Sequence, residues 1–91
     1  MIITAGKFKG QKVIAPDENI TRPTLSKVRM SIFNILQALI DFDGSSFLDM
    51  YAGSGIMGLE ALSRGFINVC AIEKNPKAAK IIKNNFQKIQ P

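Results

Sequence analysis

The sequence predicts an α/β fold, in which an N-terminal β-hairpin and a helix precede one β-α-β unit and a last helix. Two short apolar runs, 46–51 and 68–73, have strand character, and a glycine turn and a compact helical segment separate them. Amphipathic helical stretches lie on both sides of this unit. The chain has 91 residues, of which 46% are hydrophobic and 21% charged. That size and composition are typical of one small globular domain.

The first 23 residues are expected to form an arm. Residues 1–5 and 12–15 are short β-like runs, and the glycine-containing and lysine-containing stretch between them favours a hairpin turn. Residues 16–23 are a polar loop. We therefore divide the chain into an arm at 1–23 and a second part at 24–91.

A helix is expected to begin near Thr24, whose hydroxyl is a candidate N-cap. Apolar residues recur at helical spacing after it and break off at residues 41–45. The stripe comprises Leu25, Val28, Ile32, Ile35, Leu36 and Leu39. An apolar stripe of this kind normally faces the core of a domain.

The remaining elements follow from turn and cap residues. Residues 46–51 are predicted to form a mostly buried strand, 56–64 a helix, and 68–73 the next strand. Asn75 is predicted to cap the last helix, with Pro76 at its first position. The predicted buried face of that helix comprises Ala78, Ala79, Ile82, Phe86 and Ile89.

Residue types and charge narrow the classes of function. The sequence has no histidine and one cysteine, which excludes an internal disulfide, a Cys/His zinc site and a histidine-based catalytic triad. We interpret that residue, Cys70, as a small buried strand residue. The net charge is +5 and the pI is about 9.7, values typical of proteins that bind phosphates. We expect a reducing, cytoplasmic location.

The strongest chemical signal is the turn after the first strand. Gly53, Gly55 and Gly58 satisfy the pattern G-x-G-x-x-G, which permits a tight turn and close approach of the backbone to a ligand. Glu73 follows the second strand, twenty residues after Gly53. A carboxylate there can accept hydrogen bonds from both hydroxyls of a ribose. The combination indicates a site for a nucleoside-containing cofactor.

Asp49 indicates which nucleoside-containing cofactor the site would bind. It lies four residues before Gly53, where a dinucleotide fingerprint normally has an apolar residue. A carboxylate suits the positive amino group and sulfonium of S-adenosylmethionine, and it would repel a pyrophosphate. No Gly-Lys-Ser or Gly-Lys-Thr is present, which excludes a nucleoside triphosphate loop. The pattern is typical of class I methyltransferases, which have a Rossmann-like fold.

Motifs along nearly the whole chain resemble one family. The clearest are FLDMYAGSG at 47–55 and GLEALSRG at 58–65, supported by AGKFKG at 5–10, RPT at 22–24 and EKN at 73–75. They resemble the bacterial 16S ribosomal RNA guanine-N2 methyltransferases. The resemblance implies a truncated class I methyltransferase fold, in which residues 24–91 are the first, incomplete part of the domain that binds S-adenosylmethionine. It also implies methyl transfer from S-adenosylmethionine to the exocyclic N2 of a guanine in 16S ribosomal RNA or the small-subunit particle.

The resemblance also assigns cofactor-binding residues. It implies that Gly53, Ser54 and Gly55 form the cofactor loop, that Asp49 lies by the methionine part, and that Glu73 holds the ribose. The full set of expected cofactor-binding residues is Thr24, Asp49, Ala52, Gly53, Ser54, Gly55, Gly58, Glu73 and Lys74.

The family's catalytic motif is Asp or Asn followed by Pro-Pro and an aromatic residue, and it is not found in this sequence, where no two prolines are adjacent. We therefore expect no catalytic residue in this chain and no methyl transfer by the chain alone. The unpaired edge of a two-stranded parallel sheet also predicts self-association, or a partner that supplies further strands.

The basic arm is a second candidate site. Lysines at the turn can contact RNA phosphates, and Phe8 is expected either to stack on an unpaired base or to pack in the core. The expected RNA-binding residues are Lys7, Phe8, Lys9, Lys12, Arg22 and Arg29. Two other functions stay open: a fragment of a dinucleotide-binding oxidoreductase, against which Asp49 counts, and a non-catalytic RNA-binding module that uses only the arm.

Overall fold

The structure is a computed structural model, and it describes residues 1–14, 25–50 and 55–89. The predicted order of helix, strand, helix, strand and helix is confirmed. The elements are α1 (Ser26–Leu39), a 3₁₀ turn (Phe42–Gly44), β1 (Ser46–Asp49), α2 (Ile56–Arg64), β2 (Asn68–Ala71) and α3 (Pro76–Ile89).

The two strands form a parallel pair, and α2 is the crossover between them. Asp49 at the end of β1 is opposite Ala71 at the end of β2. Because the strands are parallel, the segments that follow them leave from the same edge of the sheet. That edge is where open α/β sheets bind ligands.

Glycines fix both ends of α2 and its distance from the sheet. Gly55 and Gly65 flank the helix with φ values of 82° and 113°, a left-handed conformation that favours glycine. Inside the helix, a Cβ at Gly58 would lie 2.9 Å from Val69 Cγ1. The third glycine of the motif therefore lets α2 approach β2 closely.

α1 faces the core differently from the prediction. Its buried residues are Arg29 and Phe33, with Leu36 partly buried, while Leu25 is 71% and Leu39 73% exposed. The prediction that this apolar stripe forms the buried face of α1 was therefore wrong, although two of its residues, Ile32 and Leu36, are half-buried. The physical reason is a tertiary contact, since Arg29 turns inward to pair with a carboxylate of α2. The N-cap position is Leu25, without a side-chain cap, and the candidate cap Thr24 lies outside the described residues.

Two apolar clusters form the core. One is largely aromatic and joins α1, β1 and the end of α2, and its phenylalanine rings pack at centroid distances of 4.4 to 6.4 Å. The other joins the arm to α2 and α3. The aromatic cluster contains Phe33, Phe42, Phe47 and Phe66, and the second cluster contains Ile3, Val13, Ile56, Leu59 and Ile89.

The arm is a short hairpin that lies along α2. Ile2 and Lys12 form an antiparallel bridge, and the Ile3 N–H donates to the Gln11 carbonyl at 3.0 Å. The predicted hairpin is thus confirmed, as a bridge with flanking hydrogen bonds rather than two long strands. The predicted boundary at residue 23 lies outside the described residues.

α3 begins as predicted at Pro76, with Asn75 as its cap. The Asn75 Oδ1 atom accepts from the Lys77 N–H at 3.0 Å and the Ala78 N–H at 3.2 Å. Its buried side contains the predicted Ala78, Ile82 and Ile89 and also Asn85, which the pattern missed. In β2, Cys70 is exposed, so its interpretation as a buried residue was wrong. Its face of the two-stranded sheet is open, as the exposure of Leu48 and Ile72 also shows.

Candidate cofactor site and basic arm

The carboxyl edge of the sheet brings together three of the predicted cofactor residues. Asp49 ends β1 and is partly buried, and Gly55 caps the helix that follows. Glu73 stands two residues after the end of β2 and is also partly buried. The Ile72 N–H donates to the Asp49 carbonyl at 2.7 Å, which ties the two strand ends together. Two carboxylates and a helix N-terminus therefore share one edge.

The N-terminus of α2 supplies backbone donors at this edge. The first turn of a helix leaves N–H groups without intrahelical acceptors, and Gly55 begins the helix in a left-handed conformation. A Cβ at Gly55 would lie 3.2 Å from both Ile82 Cγ2 and Phe86 Cε2. Gly55 is therefore needed both for its φ value and for the close packing of α3. The predicted loop residues Ala52, Gly53 and Ser54 lie outside the described residues.

Glu73 is held by the turn that leads into α3. Its Oε2 atom accepts a hydrogen bond from the Asn75 N–H at 3.0 Å. This bond fixes the carboxylate near the start of α3, where Asn75 in turn caps the helix. The neighbouring Lys74 is exposed. Each carboxylate oxygen can accept more than one hydrogen bond, so the bond to the Asn75 N–H does not by itself exclude contact of Glu73 with a ligand.

The lysines of the arm are exposed and the aromatic ring beside them is not. Lys7, Lys9 and Lys12 are exposed, whereas Phe8 is half-buried against the arm's apolar cluster. The Lys7 Nζ atom lies 5.4 Å from the centroid of the Phe8 ring. The Phe8 ring therefore packs the turn against this apolar cluster. Arg22, the fourth predicted basic contact, lies outside the described residues.

Arg29 is placed in the interior rather than at an RNA-facing surface. It is 2% exposed, and its Nη2 atom donates to the Ile2 carbonyl at 2.8 Å. Its Nε atom lies 3.8 Å from Glu60 Oε1. Burial lowers the pKa of Arg29, and the negative charge of Glu60 opposes that shift. The structure therefore gives Arg29 a place in the core, where it joins α1 to the arm.

The sequence prediction missed Glu60, the partner of Arg29. Glu60 is completely buried, and its Oε1 atom accepts from the Thr4 N–H at 2.7 Å and from the Thr4 hydroxyl at 2.5 Å. A charged residue in the middle of a helix normally faces solvent. The available signal was the spacing of Glu60 and Arg64 in α2, four residues apart and in position to pair on one face of the helix.

Across residues 1–14, 25–50 and 55–89, no group of three His, Cys, Asp or Glu side chains is arranged to hold a metal ion. None of the helices in these ranges is long and apolar enough to span a membrane.

The chain is similar in sequence and structure to several bacterial proteins. The chain is 40% identical over 90 residues to the protein YlbH of Bacillus subtilis (strain 168), covering 99% of this chain and 48% of that protein. It is 40% identical over 83 residues to ribosomal RNA small subunit methyltransferase D of Escherichia coli (strain K12), covering 90% and 41%. The solved structure of the Escherichia coli protein yhhF superposes with a TM-score of 0.83 at 32% identity, over 99% of this chain and 47% of that one.

These matches confirm the resemblance to bacterial ribosomal RNA methyltransferases and the α/β methyltransferase fold that it implied. The chain spans about half the length of the relatives it matches. All of its residues, 1–91, match the model of one protein family. The chain therefore belongs to the family described as conserved hypothetical protein 95.

Proposed function

We propose that this chain is the cofactor-binding part of an S-adenosylmethionine-dependent methyltransferase that acts on small-subunit ribosomal RNA. In this proposal, the enzyme methylates the exocyclic N2 of a guanine in 16S RNA, free or in the small-subunit particle. The observation that carries the proposal is the meeting of Asp49, Glu73 and the N-terminus of α2 at one sheet edge. The similarity to small-subunit ribosomal RNA methyltransferase D supports the substrate class.

The chemistry of this donor set fits the cofactor. S-adenosylmethionine supplies an electrophilic methyl group on a sulfonium, and it carries a positive amino group and a ribose with two hydroxyls. In the proposal, Asp49 lies by the positive methionine part, Glu73 accepts from the ribose hydroxyls, and backbone groups near Gly55 contact the cofactor. The expected loop residues Ala52, Gly53 and Ser54 would complete the cradle, with Thr24 and Lys74 beside it. Gly58 acts indirectly, because it sets the position of α2 against β2.

A dinucleotide is the poorer fit to the same edge. Asp49, at the end of β1, stands near the helix N-terminus where a dinucleotide would place its pyrophosphate, whereas Glu73 would face a ribose in either cofactor. A negative charge so close to a pyrophosphate repels it, whereas it attracts the cationic groups of S-adenosylmethionine. This electrostatic difference is the reason for preferring a methyltransferase to an oxidoreductase.

The arm supplies the proposed RNA contact. Lys7, Lys9 and Lys12 are exposed on one hairpin, as phosphate-contacting lysines must be. We propose that the arm, residues 1–23, forms an RNA-binding part distinct from the cofactor-binding part at 24–91, with Arg22 at its end. Phe8 contributes by holding the turn. Binding of RNA without any cofactor affinity would identify the chain as an RNA-binding module instead.

Isothermal titration of the 91-residue chain with S-adenosylhomocysteine and, separately, with NAD tests the cofactor assignment. Weak binding of S-adenosylhomocysteine and no binding of NAD are expected. Glu73→Gln keeps an acceptor for the Asn75 N–H but removes the charge that receives two hydroxyls. It should weaken binding by about tenfold or more, since hydrogen bonds to charged groups contribute about 1.5–3 kcal/mol.

The matched control is Asn75→Ala, which removes the cap of α3 and leaves Glu73 in place. It should reduce helix stability while the affinity for S-adenosylhomocysteine changes far less. Equal affinities of wild type and Glu73→Gln, or tighter binding of NAD than of S-adenosylhomocysteine, would refute the assignment.

A further inference from the structure

A single buried carboxylate joins the arm to the helix that leads from the cofactor edge. Glu60 lies in the middle of α2 and is completely buried. Its oxygens accept the Thr4 N–H, at 2.7 and 3.2 Å, and the Thr4 hydroxyl at 2.5 Å. A buried carboxylate is costly unless such donors surround it. The arm therefore supplies hydrogen bonds that make the burial of Glu60 favourable.

Two guanidinium groups complete the cluster and bring in α1. Arg29 Nε of α1 lies 3.8 Å from Glu60 Oε1, and Arg64 Nε lies 3.8 Å from Glu60 Oε2. Both arginines also contact the arm, Arg29 through the Ile2 carbonyl at 2.8 Å and Arg64 through the Thr4 hydroxyl at 3.2 Å. The carboxylate of Glu60 therefore compensates the charges of two buried guanidinium groups, those of Arg29 and Arg64. Its removal would leave both charges without this partner.

The turn of the arm is attached to α2 at Ser63, about one helical turn after Glu60. Ser63 Oγ donates to the Ala5 carbonyl at 2.6 Å and accepts from the Phe8 N–H at 2.8 Å. The Lys7 N–H donates to the Ser63 carbonyl at 2.7 Å. Glu60 and Ser63 are three residues apart and share one face of the helix. The arm is therefore bound to this face of α2 at two points, Glu60 and Ser63.

The attachment separates the basic turn from the cofactor edge by the length of α2. The turn lies at Ser63, near the C-terminal end of the helix, while Gly55 lies at its N-terminus. At 1.5 Å per residue, the nine residues of α2 span about 13 Å.

We propose that Glu60 is a positioning residue for RNA, which locks the lysine-bearing arm at a fixed distance from the cofactor edge. The proposal rests on the proposed function of the arm in RNA binding. Glu60 contacts neither RNA nor cofactor in this scheme. Its carboxylate holds Thr4, and through Thr4 it fixes where Lys7 and Lys9 meet phosphates.

Glu60→Gln tests the proposal, with Asp43→Asn as the matched control. Each variant removes one negative charge, so both change the overall attraction for RNA equally. Asp43 is exposed on the 3₁₀ turn. The measurements are amide hydrogen exchange of the 91-residue chain and its affinity for a fluorescein-labelled RNA hairpin, titrated at several salt concentrations.

In Glu60→Gln the arm amides of Ile3, Thr4 and Lys7 should exchange much faster while α3 keeps its protection. RNA affinity should fall about tenfold or more relative to Asp43→Asn, because a released arm has to be ordered again on binding. Protected arm amides and equal RNA affinity in the two variants would overturn the proposal.

Other outcomes are also decisive. If the wild type binds no RNA, the proposed function of the arm fails, and with it the part of this inference that concerns RNA. The exchange data then still establish whether Glu60 holds the arm. If Glu60→Gln unfolds, Ser63→Ala replaces it, since it removes two side-chain hydrogen bonds to the arm without changing the charge. Faster arm exchange with weaker RNA binding in Ser63→Ala supports positioning of the arm by α2, and no change in either overturns it.

Discussion

Replacing Gly6 with alanine should separate the arm from α2. Gly6 has φ of 85°, and a Cβ there would lie 2.1 Å from the Ser63 carbonyl oxygen, about 1 Å inside van der Waals contact. The obstructing atoms belong to the helix backbone, so a side-chain rotation cannot relieve the overlap. Gly10 is the matched position, because it has φ of 87° in the same turn and nothing lies within 4 Å of its Cβ.

The two variants share one cost and differ in another. Each places alanine in the left-handed region, which costs about 1–2 kcal/mol. Gly6→Ala must in addition move the turn away from Ser63, which breaks the Lys7 N–H bond at 2.7 Å and the Phe8 N–H bond at 2.8 Å. At about 1 kcal/mol per hydrogen bond, the extra loss is about 2 kcal/mol. We expect a total loss of about 3–4 kcal/mol for Gly6→Ala and about 1–2 kcal/mol for Gly10→Ala.

Urea unfolding followed by circular dichroism measures the free energy of unfolding of both variants. Amide exchange of Lys7 and Phe8 shows whether the loss is confined to the arm or spreads to the whole chain. Equal losses in Gly6→Ala and Gly10→Ala, with equal protection of the arm amides, would refute the close approach of the arm to α2. A larger loss in Gly10→Ala would refute the reasoning altogether.

Three further predictions concern the core, the reaction and the open sheet face. Phe33→Ala should lower the free energy of unfolding by about 3–5 kcal/mol, because Phe33 is buried in the aromatic cluster. Leu39→Ala should change it by about 0.5 kcal/mol or less, because Leu39 is 73% exposed. Thermal unfolding of the two variants measures the difference. The 91-residue chain should transfer no methyl group from tritiated S-adenosylmethionine to small-subunit particles, and incorporated label would show that catalytic groups lie within it. Cys70 should react with a thiol reagent in the folded chain when dilute, and it should become protected at high concentration if the open sheet face with Leu48 mediates self-association. A monomer by size-exclusion chromatography at every concentration would contradict that association.

The sequence predicted best those elements whose signals are local. Gly65 ends α2, and Asn75 with Pro76 begins α3, because left-handed backbone, a side-chain cap and a fixed φ act within a few residues. The strand order and the shared edge of Asp49 and Glu73 followed from the same local pattern. These features need no knowledge of distant partners.

The rotation of α1 could not be predicted in this way. Hydrophobic periodicity assigns Leu25 and Leu39 to the core and Arg29 to the surface, because it treats each side chain by its own transfer free energy. The actual rotation depends on Glu60, thirty-one residues after Arg29 in the chain, which lies in another helix and makes burial of the guanidinium favourable. A pairing of two buried charges across elements leaves no periodic trace in the sequence.

The attachment of the arm also determines the order in which the chain can fold during its synthesis. Residues 1–14 are made before the other described residues, yet their hydrogen-bond partners follow much later. Thr4 and Glu60 are 56 positions apart, and Ile14 and Asn85 are 71 positions apart. Since contacts so distant in sequence require a large loop to close, they form late. A nascent chain therefore carries its basic hairpin undocked until α2 and then α3 have left the ribosome.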